Sequence, residues 1–305
     1  MPYIFGPVPS RRLGLSLGVD LIPRKTCSFD CIYCQVGKTT NQIIEPSSFV
    51  PVSELIEELK GVLLKTTPDV ITLAGSGEPT LNSDIGEIIS EIKKITSIPL
   101  TLLTNGSLLS NKEIREKITD VDILIPTLSS GYEETFKKIH RPHPGLKLDD
   151  IIQGLKDMRK EYSGRYLIET VLIKGLNDTE KEISCLQKII NDIQPDKVQL
   201  NTVVRPPSEP SAIALGNEKL EEIKNILGGN TEIIATTPLI NNKNKIDSKV
   251  DQILEMIKRR PVTIDDITNS LNLNKVETER FIKGLLIKGH IREQSHGDNL
   301  FYTSR

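Results

Sequence analysis

The stretch Cys27-Ser-Phe-Asp-Cys31-Ile-Tyr-Cys34 puts three thiols within eight residues in a C-x3-C-x2-C spacing. It follows an apolar segment, Leu15 to Ile22, and a Pro-Arg-Lys-Thr loop. Sulfurs this close together are a metal-site pattern, and their odd number decides the kind of site. A closed structural zinc takes four ligands, whereas an iron–sulfur cluster held by three cysteines leaves one iron with an open position. Zinc would need Cys185 or one of His140, His143, His290 and His296, and none of these is local. A disulfide framework suits an odd triplet poorly. The cluster reading is therefore preferred, and an open iron can bind a substrate.

With an aromatic, Tyr33, just before the last cysteine, this run resembles the hallmark of the radical S-adenosylmethionine (SAM) superfamily. The resemblance implies that Cys27, Cys31 and Cys34 hold a 4Fe–4S cluster whose fourth iron chelates SAM. It further implies an enzyme that reductively cleaves SAM to a 5′-deoxyadenosyl radical and abstracts hydrogen from a substrate. In such enzymes the cofactor carries the hard chemistry and the protein binds and orients. An electron donor such as flavodoxin or ferredoxin is then the expected partner.

The 305 residues suffice for one large domain and a small one, and 37% hydrophobic residues suffice for a sizeable core. Lys plus Arg at 39 against Asp plus Glu at 41 leaves a net charge of −2, so nothing global points to nucleic acid or an anionic membrane. Pro2, Pro7, Pro9, Arg11 and Arg12 exclude a secretory apolar region at the start, and no apolar run is long enough to span a bilayer. A cytoplasmic chain with no membrane partner is expected.

Short β-branched runs alternate with amphipathic patterns, which predicts βα units around a parallel sheet. The spacing predicts strands at Leu15–Ile22, Asp69–Ala74, Leu100–Thr104, Val121–Thr127, Tyr166–Ile173 and Lys197–Thr202. Helices are predicted between them, the first at Val52–Leu63 with Ser53 as its N-cap. Six units predict a partial (β/α)6 TIM-like barrel, the architecture that the resemblance also implies. Sites of parallel barrels lie at the carboxyl ends of the strands.

The second strand's exit, Gly75-Ser-Gly-Glu-Pro-Thr80, combines glycines that allow close backbone approach with carbonyls that can accept from an ammonium group. The resemblance gives Gly75, Ser76, Gly77 and Glu78 the amino group of SAM. It gives Thr104, Asn105 and Ser129 the ribose or the methionyl carboxylate, although a plain Asx turn equally explains Asn105. Arg141, in His140-Arg-Pro-His143, takes the carboxylate on the same grounds, and both histidines read as surface loop. The resemblance gives the apolar part of Leu172–Asp178, with Ile173, the packing of the adenine and counts Tyr33 among the cofactor contacts, while Asp178 equally reads as an N-cap. Glu169 on the fifth strand and Gln199, Asn201 and Arg205 at the end of the sixth are candidates for substrate contact. Cys185 reads as a small core residue.

The opening segment Phe5-Gly-Pro-Val-Pro-Ser-Arg-Arg-Leu-Gly-Leu, Cys27–Gly37 and Gln199–Pro207 most resemble the branch of wyosine-related iron–sulfur oxidoreductases, which includes the enzyme building tricyclic wyosine on tRNA. That enzyme has further cysteines for a second cluster; none precedes Cys27. The resemblance suggests a substrate in tRNA or other RNA.

Asn217–Leu227 is predicted helical and Thr231–Ala235 a short strand. The expected domains are a barrel over 1–240, a polar linker over 241–245 and a small domain over 246–305. In the last, helices at Val250–Lys258, Thr263–Leu271 and Val276–Lys288, then Ile291–Glu293 and Leu300–Thr303 as a hairpin, resemble a winged helix. Residues 246–305 hold ten Lys or Arg and nine Asp or Glu, a balance of +1 without a basic stripe. Docking of RNA or a protein partner is therefore preferred over the alternative, a cluster- or SAM-sensing regulator that binds DNA.

Overall fold

The structure is a computed structural model and describes residues 2–235, 249–271 and 273–304; the expected linker 241–245 lies outside them. The chain starts with β1 (Ile4–Ser10), β2 (Gly14–Val19) and the short β3 (Thr26–Cys27) and β4 (Asn41–Gln42). Next come α1 (Val52–Leu63), β5 (Val70–Leu73), α2 (Ile85–Ile95), β6 (Leu100–Thr104), α3 (Lys112–Lys117) and β7 (Ile123–Pro126). They are followed by α4 (Glu133–His140), α5 (Leu148–Glu161), β8 (Arg165–Leu172) and α6 (Glu180–Ile193). β9 (Lys197–Thr202), α7 (Asn217–Leu227) and β10 (Thr231–Ile233) finish this part of the chain.

One eight-stranded sheet runs in the order β1-β2-β5-β6-β7-β8-β9-β10. All neighbours are parallel except β1, which pairs antiparallel with β2. Among the described residues β1 and β10 are its edges, so the sheet is open, as in a partial barrel. β5 and β7 are buried at every position, which is why both read as unbroken apolar runs. α2 buries Ile85, Ile88, Ile89 and Ile92, the i, i+3, i+4, i+7 stripe of a helix covering a sheet.

The short strand expected at Thr231–Ala235 forms as β10 and joins the sheet, so the six parallel strands of the barrel units become seven. The correction is β1, an antiparallel edge that the prolines at 7 and 9 had hidden. An edge strand tolerates proline because one of its sides has no ladder to donate to. Caps also shift. Pro51, not Ser53, precedes α1, and Thr179 caps α6 by accepting from the Glu182 amide, while Asp178 accepts from the Gly175 amide at 2.9 Å. Cys185 is half-buried rather than in the core, its Sγ 3.6 Å from the Gly131 carbonyl.

Beyond the barrel lie α8 (Lys249–Arg259), α9 (Ile264–Leu271), α10 (Lys275–Ile287) and the antiparallel pair β11 (Ile291–His296) and β12 (Asn299–Ser304). They share their own apolar core, including Ile253, Ile257, Ile267, Ile282 and Tyr302, against which Val8 of β1 packs. Among the described residues no helix is long and apolar enough to cross a membrane.

Candidate functional site

The cysteine loop leaves β3 and is tied on two sides. The Asp30 amide donates to the His140 carbonyl at 2.9 Å, the Ile32 amide to that of Ile139 at 2.9 Å, and the His143 amide to that of Ser28 at 2.9 Å. From the β9 exit, the Ser208 hydroxyl donates to the Cys31 carbonyl at 2.8 Å and the Glu209 amide to that of Ile32 at 3.0 Å. This backbone bracing holds the three thiols at the carboxyl ends of the strands.

Each sulfur has a polar neighbour. Cys27 Sγ accepts from the Phe29 amide and from Asn105 Nδ2, both at 3.5 Å. Cys34 has the Val36 and Gly37 amides. Cys31 Sγ lies 3.2 Å from His140 Nδ1, which is also 3.4 Å from the Tyr33 hydroxyl. His140 is not the surface residue expected from its Pro-containing neighbourhood. It ends α4, buried between the rings of Phe29 and Phe136, and burial lowers its pKa to about 3, so the imidazole is neutral. The sequence draws the eye to His140-Arg-Pro-His143 but does not foretell this burial, which is made by two phenylalanines from different segments.

Burial pushes Cys27 up to about 12, with Glu78 adding to it, and pushes Cys31 and Cys34 up as well. Sulfurs placed like this, Cys27 and Cys34 beside N–H donors and Cys31 beside the His140 imidazole, are disfavoured as bare thiolates and suit a cationic iron centre, whose sulfurs such neighbours stabilise. Among the described residues no three Cys, His, Asp or Glu side chains converge on a single ion. A cubane asks for something else, because each cysteine binds a different iron.

The exit of β5 approaches this loop closely. A Cβ on Gly77 would fall 1.8 Å from the Thr26 carbonyl oxygen, and one on Gly75, at φ +157°, 2.5 Å from the Asp20 carboxyl carbon. Asp20 instead accepts from the Ser76 hydroxyl at 2.6 Å and its amide at 3.1 Å. Glu78 is fully engaged as an acceptor: from the Thr80 hydroxyl and the Thr104 hydroxyl, both at 2.6 Å, from the Thr80 amide at 3.1 Å, and from the Asn105 amide at 2.7 Å. Burial raises its pKa, and these four donors oppose the rise. Its carboxylate thus bolts the end of β5 to the end of β6.

Asn105 makes the Asx turn expected of it. Its Oδ1 accepts from the Ser107 amide at 2.9 Å in an Asx turn, while its Nδ2 reaches Cys27 and Ser28. Ser129 is buried, accepting from the Val171 amide at 3.0 Å and, at its carbonyl, from Asn177 at 2.7 Å. Ile173 packs with Ile32, Ile139, Val203 and the half-buried Tyr33 in a separate apolar shelf. Arg141 stands apart. It is left-handed at φ 42°, and its guanidinium sits on Glu209 at 2.7 Å with Asp30 at 3.8 Å, 42% exposed.

A cavity of about 380 Å³ opens beside Cys34, Tyr33 and Gly75. Glu169 on its wall meets Arg12 at 3.0 Å and Asn201 Nδ2 at 2.8 Å. Burial would raise the Glu169 pKa, but Arg12 and Asn201 outweigh it and hold the carboxylate below its usual range. Gln199 bridges Arg12 and Glu232, and Arg205 lies 3.8 Å from Asp266 of α9.

A model of the Radical SAM superfamily matches residues 21–184. A UPF0026 protein of Methanocaldococcus jannaschii is 32% identical, the match covering 99% of this chain and 96% of that protein. A protein called GTPase Obg in Brachyspira hyodysenteriae is 40% identical over 98% of this chain, which spans only 45% of it. Two solved structures share the fold at low identity. A radical SAM methyltransferase from Sphaerobacter thermophilus has a TM-score of 0.54 at 18% identity, covering 72% of this chain and 65% of that one. Streptococcus suis SuiB bound to S-adenosylmethionine has 0.53 at 16%, covering 72% and 50%. The chain therefore belongs to the radical SAM superfamily, whose members are enzymes that work with a 4Fe–4S cluster and S-adenosylmethionine.

Proposed function

We propose that Cys27, Cys31 and Cys34 hold the cluster, and that SAM lies across the strand ends with the cavity beside it as the substrate chamber. The observation that carries this is the grouping of all three sulfurs, each with an N–H or imidazole neighbour, beside the Gly75–Glu78 turn. The chemistry such a pair supplies is one-electron cleavage of SAM to a 5′-deoxyadenosyl radical that takes a hydrogen atom from the substrate. The chain's own residues position it. Backbone carbonyls of Gly75–Glu78 accept from the amino group, Thr104, Asn105 and Ser129 border the ribose and carboxylate, and the Ile173–Tyr33 shelf packs the adenine. Arg141 reaches the methionyl carboxylate only if it leaves Glu209, so we assign it the support of the cysteine loop first.

The radical reading is tested by electron paramagnetic resonance of anaerobically reconstituted, dithionite-reduced protein. Addition of SAM should change the cluster signal, because the cofactor binds an iron directly; an unchanged signal would refute the assignment.

The finer reading follows the resemblance to the wyosine-related branch: a cytoplasmic enzyme, fed electrons by a flavodoxin or ferredoxin, acting on a nucleotide of tRNA or other RNA. Residues 1–240 would form the barrel domain and 246–305 a winged helix that docks RNA or a protein partner. A DNA-binding regulator is disfavoured because α8 is committed to the barrel, Arg259 meeting Asp20 at 3.1 Å. Mass spectrometry of tRNA nucleosides from a deletion strain checks this, a missing modified nucleoside being the expected result.

A further inference from the structure

The wall of the cavity carries Arg11, Arg12, Arg205, Arg259 and Arg260 against one carboxylate, Glu169. Two of the five are matched: Arg12 by Glu169 at 3.0 Å and Arg259 by Asp20 at 3.1 Å. The other three are not. Arg11 makes only long contacts, to Asn201 at 3.5 Å and to the carbonyls of Ile234 and Ala235 at 3.4 and 3.3 Å. Arg205, its side chain 10% exposed, has Asp266 at 3.8 Å and Gln35 at 3.5 Å, and its Nε is buried with no hydrogen-bond partner. Arg260 has no ion pair within 4.0 Å among the described residues, and its charge is felt by the same Asp266. That carboxylate is already shared, since its Oδ2 accepts from the Thr263 amide at 3.0 Å at the start of α9.

Arg205 and Arg260 thus share one carboxylate, Asp266, while Arg11 is left to Glu169, which Arg12 already holds, and then to the same Asp266. Burial, then Arg205, pushes Arg260 down to about 9, and the same two causes bring Arg11 down to about 10. An uncompensated buried charge is costly and is kept where something else uses it. A second cavity between the barrel and the β11–β12 turn shares Arg11, Thr202 and Arg205 with the first, so these two arginines stand where the cavities meet and Arg260 lines the first alone.

We propose that Arg11, Arg205 and Arg260 form the recognition site for an anionic group, a phosphate or carboxylate, of the substrate, with α8 of the C-terminal unit supplying part of the active site. The proposal rests on reading the cavity as the substrate chamber. Guanidinium forks grip oxyanions bidentately, and here the anion supplies the missing counter-charge. The anion belongs either to a free small molecule or to a nucleotide of RNA entering between the barrel and the β11–β12 turn.

Titration calorimetry with sodium pyrophosphate at low salt, on anaerobically reconstituted full chain saturated with SAM, tests this. Wild type should bind. Arg205→Gln and Arg260→Gln should each weaken binding about tenfold or more, Arg260→Lys less, and the exposed Arg280→Gln not at all. Competition by bulk tRNA would assign the anion to RNA, and its absence to a small molecule; both agree with the proposal. No pyrophosphate binding, equal affinity in the glutamine variants, or binding that SAM abolishes would overturn it, the last giving these arginines to the methionyl carboxylate. Heat of binding is independent of cofactor cleavage, so intact binding without 5′-deoxyadenosine would sink only the radical reading.

Discussion

Two polar regions, one behind the strand ends and one on the cavity wall, are built on opposite principles. Around Glu78, Thr104, Asn105 and Ser129 the polar groups find one another: the carboxylate takes four donors, and the hydroxyls and amides tie neighbouring strand ends together. Around Arg11, Arg205 and Arg260 donors outnumber acceptors: Arg205 and Arg260 share Asp266, and Arg11 has only Glu169, already paired with Arg12, and the same Asp266. The first region is a finished framework, which keeps the turn beside the cysteines in one shape. The second is unfinished until an anion arrives. Saturated polar networks rigidify, whereas unsatisfied buried charge marks a place reserved for a ligand.

The sharpest way to break the framework is Gly77→Ala. Its Cβ must displace the Thr26 carbonyl, one residue before Cys27, so a destabilisation above about 3 kcal/mol and poor iron retention are expected by thermal denaturation and iron assay. Glu78→Gln comes next. One acceptor oxygen becomes a donor facing the Asn105 amide or the hydroxyls of Thr80 and Thr104, and chemical denaturation should register a loss of about 2–3 kcal/mol.

The arginine region should respond with the opposite sign. Arg260→Met, without ligand, should raise stability by about 1 kcal/mol, because a poorly matched charge leaves the interior. A drop as large as that of Glu78→Gln would erase the contrast. The smallest effect is a pH slope. The folded pKa of Glu169 is depressed, so the stability it brings is present above the ordinary carboxylate range and is lost as pH falls through the folded value. The melting temperature of wild type minus that of Glu169→Gln should therefore shrink on acidification; a pH-independent difference would contradict the Arg12 pairing.

The two regions also differ in how far they could be read from the chain. The framework lies next to strand ends in contiguous motifs: Cys27–Cys34, Gly75–Thr80 and Thr104–Ser107 are each local, and the β-branched runs that feed them bury both faces. What stayed hidden needed tertiary neighbours. β1 contains two prolines that argue against a strand until its edge position is known. His140 looks like loop until Phe29 and Phe136 enclose it. Arg205 was visible as a polar residue at a strand end, but its partners come from residue 11 and from residues 260 and 266, far along the chain, and no spacing rule links them. The role first given to Arg141 came from resemblance, and its pairing with Glu209 could not be foreseen because Glu209 lies in an irregular segment.

The most direct test of the account is the amount of 5′-deoxyadenosine formed from SAM by anaerobically reconstituted, dithionite-reduced protein, measured for wild type and Cys31→Ala. The account predicts product from the wild type and none above background from the variant. Zinc without sulfide in the wild type, or equal product from both proteins, would contradict it.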